Sequence, residues 1–196
     1  MSGPGELNIK QTLNVANNPP RVRPWTRWWW MGSAVNEREL TRELEEFARA
    51  GFGGVEITPI YGARGYENES VPFLSPRWMG LVHHAVREAR RLGMEADMTT
   101  GTGWCFGGPG VVADDANTTA EWKDGKLLVK PSGIMVKRAA PGGEGPMLNL
   151  LRPGAVKRYL ARFDEAFEAN GIPGLRAVFH DSYEYLSNWS PELPGI

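Results

Sequence analysis

The segment Leu175-Arg-Ala-Val-Phe-His-Asp-Ser-Tyr-Glu184 indicates the fold class, because it is a short apolar run that ends in acidic residues. A buried strand that delivers carboxylates at its carboxyl end is the way in which a (β/α) barrel presents catalytic groups. The segment lies near the end of a chain of 196 residues. Because a complete (β/α)8 TIM barrel takes about 250 residues, we expect an α/β chain that holds only the first half of one.

A helix, a glycine and a short apolar strand recur along the chain. The predicted strands are 25–31, 54–58, 94–100 and 175–181. Helix starts are indicated by Asn36 with Glu39, by Ser75-Pro76 and by Pro153. This alternation predicts parallel strands joined by helical crossovers. A doubly wound sheet would give the same local pattern, but its G-x-G-x-x-G fingerprint does not follow the first strand, which favours the barrel.

Two regions depart from this repeat. Residues 1–24 are polar and contain several prolines, which predicts an extended lead-in before a partial barrel domain over 25–196. An insertion at about 113–147 carries an Asp124-Gly125 turn signal between β-forming residues, which predicts a small hairpin. The glycine-rich stretch 101–108 is followed by no helix and is interpreted as a loop. Insertions at the carboxyl end of a barrel commonly shape a substrate site.

Composition narrows the functional classes. The formal net charge of −1, without long runs of one sign, argues against nucleic acid or an anionic membrane as a partner. The single cysteine, Cys105, excludes an internal disulfide and a cysteine-based zinc site. We expect no signal peptide and no transmembrane segment in this sequence. The 8 Trp residues, of which Trp25 and Trp104 directly follow a Pro or a Gly, suit loops with rigid aromatic faces for sugar rings, although packing in the core is an equal alternative.

Acidic residues at strand ends are the candidate catalytic groups. Asp181 and Glu184 are three residues apart, so both cannot point inward from one straight strand. Glu184 is therefore placed on the following turn, where partial desolvation would help it to keep a proton and act as a general acid. Asp181 would line the barrel mouth and orient substrate, Glu184 or a metal. The alternative is that Asp181 caps a turn and Glu184 is a solvated loop acid.

A set of motifs in order carries a family resemblance. They are Trp28-Trp-Trp-Met-Gly32, Gly51-Phe-Gly-Gly-Val-Glu-Ile57, Phe73-Leu-Ser-Pro-Arg-Trp78, Arg91-Leu-Gly93, Gly103-Trp-Cys-Phe-Gly-Gly-Pro109, Val136-Lys-Arg-Ala-Ala-Pro-Gly-Gly-Glu-Gly145 and Phe179-His-Asp-Ser-Tyr-Glu184. From about Arg23 to the C-terminus the chain resembles the start of the catalytic barrel of glycoside hydrolase family 106, the α-L-rhamnosidases. The segment between Val112 and Met135 is shorter than in that family.

The resemblance implies an inverting hydrolase of terminal α-L-rhamnosyl bonds in plant or microbial polysaccharides and glycosides, with calcium near the sugar. It implies that Glu184 is a catalytic carboxylate, acting as the acid, with Asp181 beside it. The residues themselves suggest substrate contacts at Glu56, Asp97, Trp104 and Trp30. Inversion also needs a second carboxylate as base. No good candidate is found, since Glu192 is near the chain end and Glu56 lies within a strand.

Two other functional classes remain open. One is a carbohydrate-binding or structural remnant that keeps the aromatic and acidic contacts but cannot cleave. The other is a sugar isomerase or an aldolase-like barrel, which is disfavoured because no lysine stands at a strand end and the histidines lack metal-ligand spacing. The expected partner is a carbohydrate. We also expect this chain alone to be inactive as a glycosidase and to self-associate through an open sheet edge.

Overall fold

The computed structural model describes residues 18–180 and 187–193. Four strands form one parallel sheet, and they are β1 (Trp25–Met31), β2 (Gly54–Ile60), β3 (Glu95–Thr99) and, at the end of the chain, β6 (Ala177–Phe179). Between β3 and β6 lies an antiparallel hairpin of β4 (Thr118–Lys123) and β5 (Lys126–Pro131). The helices are α1 (Glu37–Arg49), α2 (Pro76–Arg91) and α3 (Pro153–Asn170).

The strands of the main sheet lie side by side in the order in which they occur along the chain. Each strand of the main sheet pairs with the next one along the chain, in the order β1-β2-β3-β6. A doubly wound sheet reverses its strand order at a switch point, whereas sequential pairing is the winding of a barrel. Within the described residues the sheet stays open, with β1 and β6 at its two edges. The fold is therefore mixed α/β with a sequentially wound parallel sheet.

The helix boundaries follow from capping residues in the sequence. The side chain of Asn36 accepts a hydrogen bond from the Glu39 backbone N–H at 3.1 Å and begins α1, as the sequence predicts. The Ser75 hydroxyl accepts from the Trp78 N–H at 3.3 Å, and Pro76 occupies the first turn of α2. At the end of α3, Gly171 adopts a φ of 84° that a larger residue would resist. Local chemistry thus sets these boundaries.

One face of the sheet packs against α1 and α2 to form the core. Every second residue of each strand points to that face. They are Trp28, Trp30, Val55, Ile57, Ala96 and Met98, and they join Leu40, Leu44, Val82 and Ala85 of the helices in one buried cluster. Trp78 of α2 is fully buried, and its indole N–H donates to the Ser33 hydroxyl at 3.1 Å. The remaining strand residues lie on the opposite face, which we call the far face.

The insertion contains the predicted hairpin. Asp124 and Gly125 connect β4 to β5, and both have positive φ, at 50° and 72°. Two positive φ values are the signature of a type I′ turn, whose twist matches that of the two strands. Every residue of β5 is exposed, and Trp122 of β4 is 72% exposed.

None of the helices in the described part of the chain is long and apolar enough to cross a membrane.

A buried ion pair joins the insertion to α3. Asp115 is 3% exposed and accepts two hydrogen bonds from the Arg158 guanidinium, one of them at 2.8 Å from Nε. These bonds hold the pKa of Asp115 below its usual range, and Arg152, 3.9 Å away, adds to the effect. The backbone carbonyl of Asp115 also accepts from the Asn149 N–H at 2.8 Å. The contacts fix the insertion at the start of α3.

We expect Asp115→Asn to destabilise the protein at neutral pH and to matter much less in acid. Because the folded state lowers this pKa from 3.8, the contribution is present above that value and is lost as pH falls through the folded pKa. Hydrogen bonds to a charged group contribute about 1.5–3 kcal/mol, and the 58% exposure of the Arg158 side chain favours the low end. Urea unfolding at pH 7 and pH 3 measures the difference. The exposed neighbour Asp114→Asn is the control, and an equal loss at both pH values would contradict the assignment.

Candidate active site

The carboxyl ends of β1, β2 and β3 meet at one edge of the sheet, as they must in a parallel arrangement. The loop of residues 101–108, which follows β3, and part of the insertion cover this edge. The Trp104 N–H donates to the Lys137 carbonyl at 2.9 Å, and the Tyr61 N–H donates to the Arg138 carbonyl at 2.8 Å. The insertion is thereby held against the ends of β2 and β3.

Glycine permits the close approach of the two loops. Gly103 has a φ of 61°, and a Cβ atom on it would lie 2.1 Å from the Lys137 carbonyl oxygen. The sequence prediction that residues 101–108 form a loop admitting close backbone approach is confirmed, and no helix follows it. The close approach brings Trp104 beside the insertion.

Tyr159 of α3 holds the same loop in place by hydrogen bonding. Its hydroxyl donates to the Gly107 carbonyl at 2.6 Å and lies 3.2 Å from the Thr100 carbonyl. Burial raises the pKa of Tyr159 to about 12, so the phenol keeps its proton and remains a donor. The ring of Phe106 packs edge-on against it at 4.9 Å. These contacts therefore fix the position of the loop that carries Trp104.

An aromatic cavity of about 280 Å³ opens at this edge. It is lined by Trp29, Met31, Ile60, Tyr61, Trp104 and Arg138. The rings of Trp29 and Trp104 lie 6.2 Å apart at a tilt of 52°. Trp29 and Tyr61 are 44% and 40% exposed, and each ring has an arginine beside it, with the Cζ of Arg27 5.5 Å from the Trp29 ring centre and that of Arg138 5.7 Å from the Tyr61 ring centre. Such partly exposed aromatic rings are suited to contact with a sugar ring.

A row of charges crosses the far face of the sheet behind this cavity. Arg27, Glu56 and Asp97 are register partners on β1, β2 and β3. Arg27 pairs with Glu56 at 3.3 Å. Asp97 is 3% exposed and accepts two hydrogen bonds from Arg176, whose pKa is raised chiefly by this contact. The carboxylates of β2 and β3 are thus engaged by arginines and lie back from the strand ends.

The predicted site residues are distributed over three places. Trp104 lines the aromatic cavity, and Glu56 and Asp97 lie side by side in the charge row. Trp30, expected to contact substrate, is instead fully buried, with its ring packed against Trp28 and Trp78. The reason is strand alternation, which points Trp30 to the core and Trp29 to the far face. The predicted catalytic residues Asp181 and Glu184 lie outside the described residues.

The histidines take packing or hydrogen-bonding positions. The His180 ring packs on Phe106 at 4.5 Å. In α2, the His84 ring contacts the Thr41 hydroxyl at 2.8 Å, and that of His83 contacts the Gly171 carbonyl at 3.1 Å. Each of these three rings therefore has a neighbour in the fold.

The described residues do not fit the calcium that the resemblance implies. Among residues 18–180 and 187–193, no group of three or more His, Cys, Asp or Glu side chains could hold a metal ion. Glu56 and Asp97 are each faced by an arginine, whose positive charge opposes a nearby cation. Calcium binding stays a prediction from the resemblance, and no chemical step is derived through it.

The sequence interpretation gave no role to Tyr61 and Arg138, and it named Trp30 where Trp29 lines the cavity. In a strand Trp29 and Trp30 point to opposite faces of the sheet. A continuous run of apolar residues does not show which of the two faces the core. Arg138 lies within a motif that carries the resemblance, but it reaches β2 only through the folded insertion. No local pattern marks such a contact.

The fold and the site define an α/β protein whose strand ends carry an aromatic cavity and a row of paired charges. The model of glycoside hydrolase family 106, described as alpha-L-rhamnosidase, matches residues 16–128, which is more than half of the chain. The chain belongs to this family.

Two proteins illustrate the similarity. The chain is 28% identical over 142 residues to a protein of Formosa agariphila named "Putative beta-glucuronidase", a match that covers 72% of this chain and 12% of that protein. A solved rhamnosidase from Novosphingobium sp. PP1Y matches 60% of this chain and 11% of its own, with 24% identity and a TM-score of 0.46. The chain thus spans a small part of the length of these relatives.

We expect Trp104→Ala to weaken substrate binding without unfolding the protein. Trp104 is half-buried in a loop and lines the aromatic cavity, so its loss removes ring stacking of about 0.5–1.5 kcal/mol. This corresponds to a rise in KM of about 2- to 12-fold with little change in kcat. The exposed hairpin residue Trp122→Ala is a matched control that should leave KM unchanged. An unchanged KM for Trp104→Ala would place this ring in packing instead.

Proposed function

We propose that this chain supplies the sugar-binding edge and the general acid of an inverting α-L-rhamnosidase that hydrolyses terminal α-L-rhamnosyl bonds in polysaccharides or glycosides. The observation that carries the proposal is the family match over residues 16–128. This range contains β1, β2 and β3 and the loop of residues 101–108. These elements provide most of the lining of the aromatic cavity at the carboxyl ends of the strands.

The roles of the residues follow from their chemistry. Trp29 and Trp104 would stack on one sugar ring of the bound glycan, because their partly open rings face the cavity. Glu184 would protonate the departing oxygen as general acid, a role that rests on the resemblance and on its place past β6. Asp181 would orient substrate or Glu184. Glu56 and Asp97 would shape the floor of the site through their arginine pairs.

Inversion needs a second carboxylate about 6.5–9.5 Å from the acid, with a water molecule between the two. Glu56 pairs with Arg27 and Asp97 with Arg176, so activation of a water molecule by either would first require that pair to break. Both also lie within strands, back from the carboxyl ends. We therefore assign the role of base to neither of them.

The test is turnover by the protein as its gene encodes it. We expect release of nitrophenol from p-nitrophenyl α-L-rhamnopyranoside, and proton NMR should show β-rhamnose as the first product, since inversion reverses the anomeric configuration. Retention of configuration would contradict the inverting mechanism. A non-catalytic remnant would bind rhamnose without any turnover.

The same assay is repeated with a second substrate, p-nitrophenyl β-D-glucuronide. The name of the Formosa agariphila relative motivates this choice. If the protein hydrolyses the glucuronide and not the rhamnoside, the proposed substrate is wrong and a glucuronide takes its place. Turnover of the rhamnoside alone would support the proposal.

A further inference from the structure

Arg138 is held in an uncommon backbone conformation at the wall of the aromatic cavity. Its φ is 62°, and that of Tyr61, which faces it, is 52°. Residues other than glycine rarely adopt such angles, and where they do they cluster at functional sites. The Arg138 carbonyl accepts from the Tyr61 N–H at 2.8 Å, so the backbone fixes where the side chain begins. The conformation places an arginine at the ends of β1 and β2.

The Arg138 guanidinium lies over two aromatic rings and, among the residues that the structure describes, meets no carboxylate. Its Cζ lies 5.0 Å from the centre of the Trp104 ring and 5.7 Å from that of Tyr61. In the described parts of the chain, no Asp or Glu side chain lies within ion-pair distance of Arg138, whereas Arg27, Arg158 and Arg176 each have an acidic partner. A guanidinium stacked by its face keeps its N–H edges for a bidentate anion. Those edges can therefore bind an anion supplied by a ligand.

The cavity beside Arg138 suits one sugar ring better than a larger molecule. Its volume of about 280 Å³ lies just below the range of about 300–1,000 Å³ that is usual for ligand sites. Its walls are aromatic and apolar, with Arg138 as the charged lining residue. A ligand that satisfies both features has a flat apolar ring face and a carboxylate at its rim. A uronic-acid unit has both.

We propose that the aromatic cavity is a subsite for a uronic-acid unit of the glycan, with the carboxylate bound by Arg138 and the sugar ring lying against Trp29 and Trp104. The inference deepens the proposed function and rests on it, because it names the chemistry of the glycan at that edge. Planar carboxylate matches the guanidinium fork in a way that a neutral hydroxymethyl group cannot. The subsite therefore selects acidic over neutral sugars.

Binding of a matched pair of small glycosides tests the subsite. Methyl β-D-glucuronide and methyl β-D-glucoside differ only in the carboxylate, and binding of each is followed by the indole N–H signals in a ¹H–¹⁵N NMR titration. We expect the protein as encoded by its gene to bind the uronide about tenfold more tightly, at the low end for a charge-assisted contact because Arg138 is exposed. Added salt should reduce the preference. Acetate, which lacks the ring, should bind more weakly than the uronide.

Variants assign the preference to Arg138. Arg138→Gln should abolish the preference of the protein for the uronide over the glucoside. Arg138→Lys, which keeps the positive charge but not the two parallel N–H donors, should retain part of that preference. Arg38→Gln removes the same charge from an exposed position on α1 and should retain the full preference. Equal thermal unfolding midpoints for the variants confirm that each is folded.

Several results would overturn the subsite. They are equal affinity for the two glycosides, a preference that survives Arg138→Gln, acetate binding as tightly as the uronide, or no shift of the indole signals with either glycoside. The proposed function fails separately, through absence of rhamnoside turnover. An enzyme that cleaves rhamnosides but shows no uronide preference would therefore contradict only the subsite.

Discussion

Glu184→Gln should slow hydrolysis of rhamnosides with poor leaving groups by about 10²–10⁴-fold, the usual range for acid–base assistance. Glutamine keeps the size of the side chain but has no proton to give. An activated aryl leaving group departs with little protonation and should lose much less rate. The measurement is kcat/KM for an alkyl and a nitrophenyl α-L-rhamnoside with the protein as its gene encodes it.

The dependence on the leaving group separates acid catalysis from misfolding, which would depress both rates equally. Asp181→Asn is the matched control, because a residue that orients substrate without donating a proton should weaken hydrolysis of both substrates together. A Glu184→Gln variant that slows both substrates by the same factor would contradict the acid role. Glu184 would then bind substrate or metal.

Arg176→Met should destabilise the fold by about 1.5–3 kcal/mol, the range for hydrogen bonds to a charged group, and the 37% exposure of the Arg176 side chain favours the low end. The carboxylate of Asp97 is 3% exposed and would lose both of its hydrogen bonds from Arg176. Asp97→Asn should cost less, since the Arg176 side chain that remains is 37% exposed and reaches water. Glu95, 4.0 Å from Arg176, remains as a second partner. Urea unfolding of the two variants measures the difference.

The double variant decides whether Asp97 has a structural role. If Asp97 and Arg176 act as a pair, Asp97→Asn combined with Arg176→Met should cost less than the sum of the single variants. An additive result would contradict the coupling. Should Asp97 instead contact substrate, as its position at a predicted strand suggested, Asp97→Asn would raise KM while leaving the free energy of unfolding almost unchanged.

The sequence by itself determined the order of the main elements and several of their boundaries. The predicted first strand coincides with β1, because the aromatic run and the following glycine define it locally. The Asn36 cap and the Asp124-Gly125 turn act over three or four residues, so they are visible in the sequence. β2 extends to Ile60, two residues past its predicted end, because its pairing with β1 continues to Met31 and Ile60. Pro59 is tolerated there because the pairing with β3 already stops at Ile57.

The tertiary structure decided which side chains form the site. Alternation gives the tryptophan run two faces, but only packing against α1 and α2 sends Trp30 to the core and leaves Trp29 at the cavity. Asp97 finds its arginine 79 residues along the chain, a distance at which no periodicity carries information. Arg138 reaches the strand ends because the insertion is tied to β2 and to the loop of residues 101–108 by backbone hydrogen bonds. Short-range chemistry can thus be predicted from spacing, whereas pairing across the sheet depends on the fold that brings the strands together.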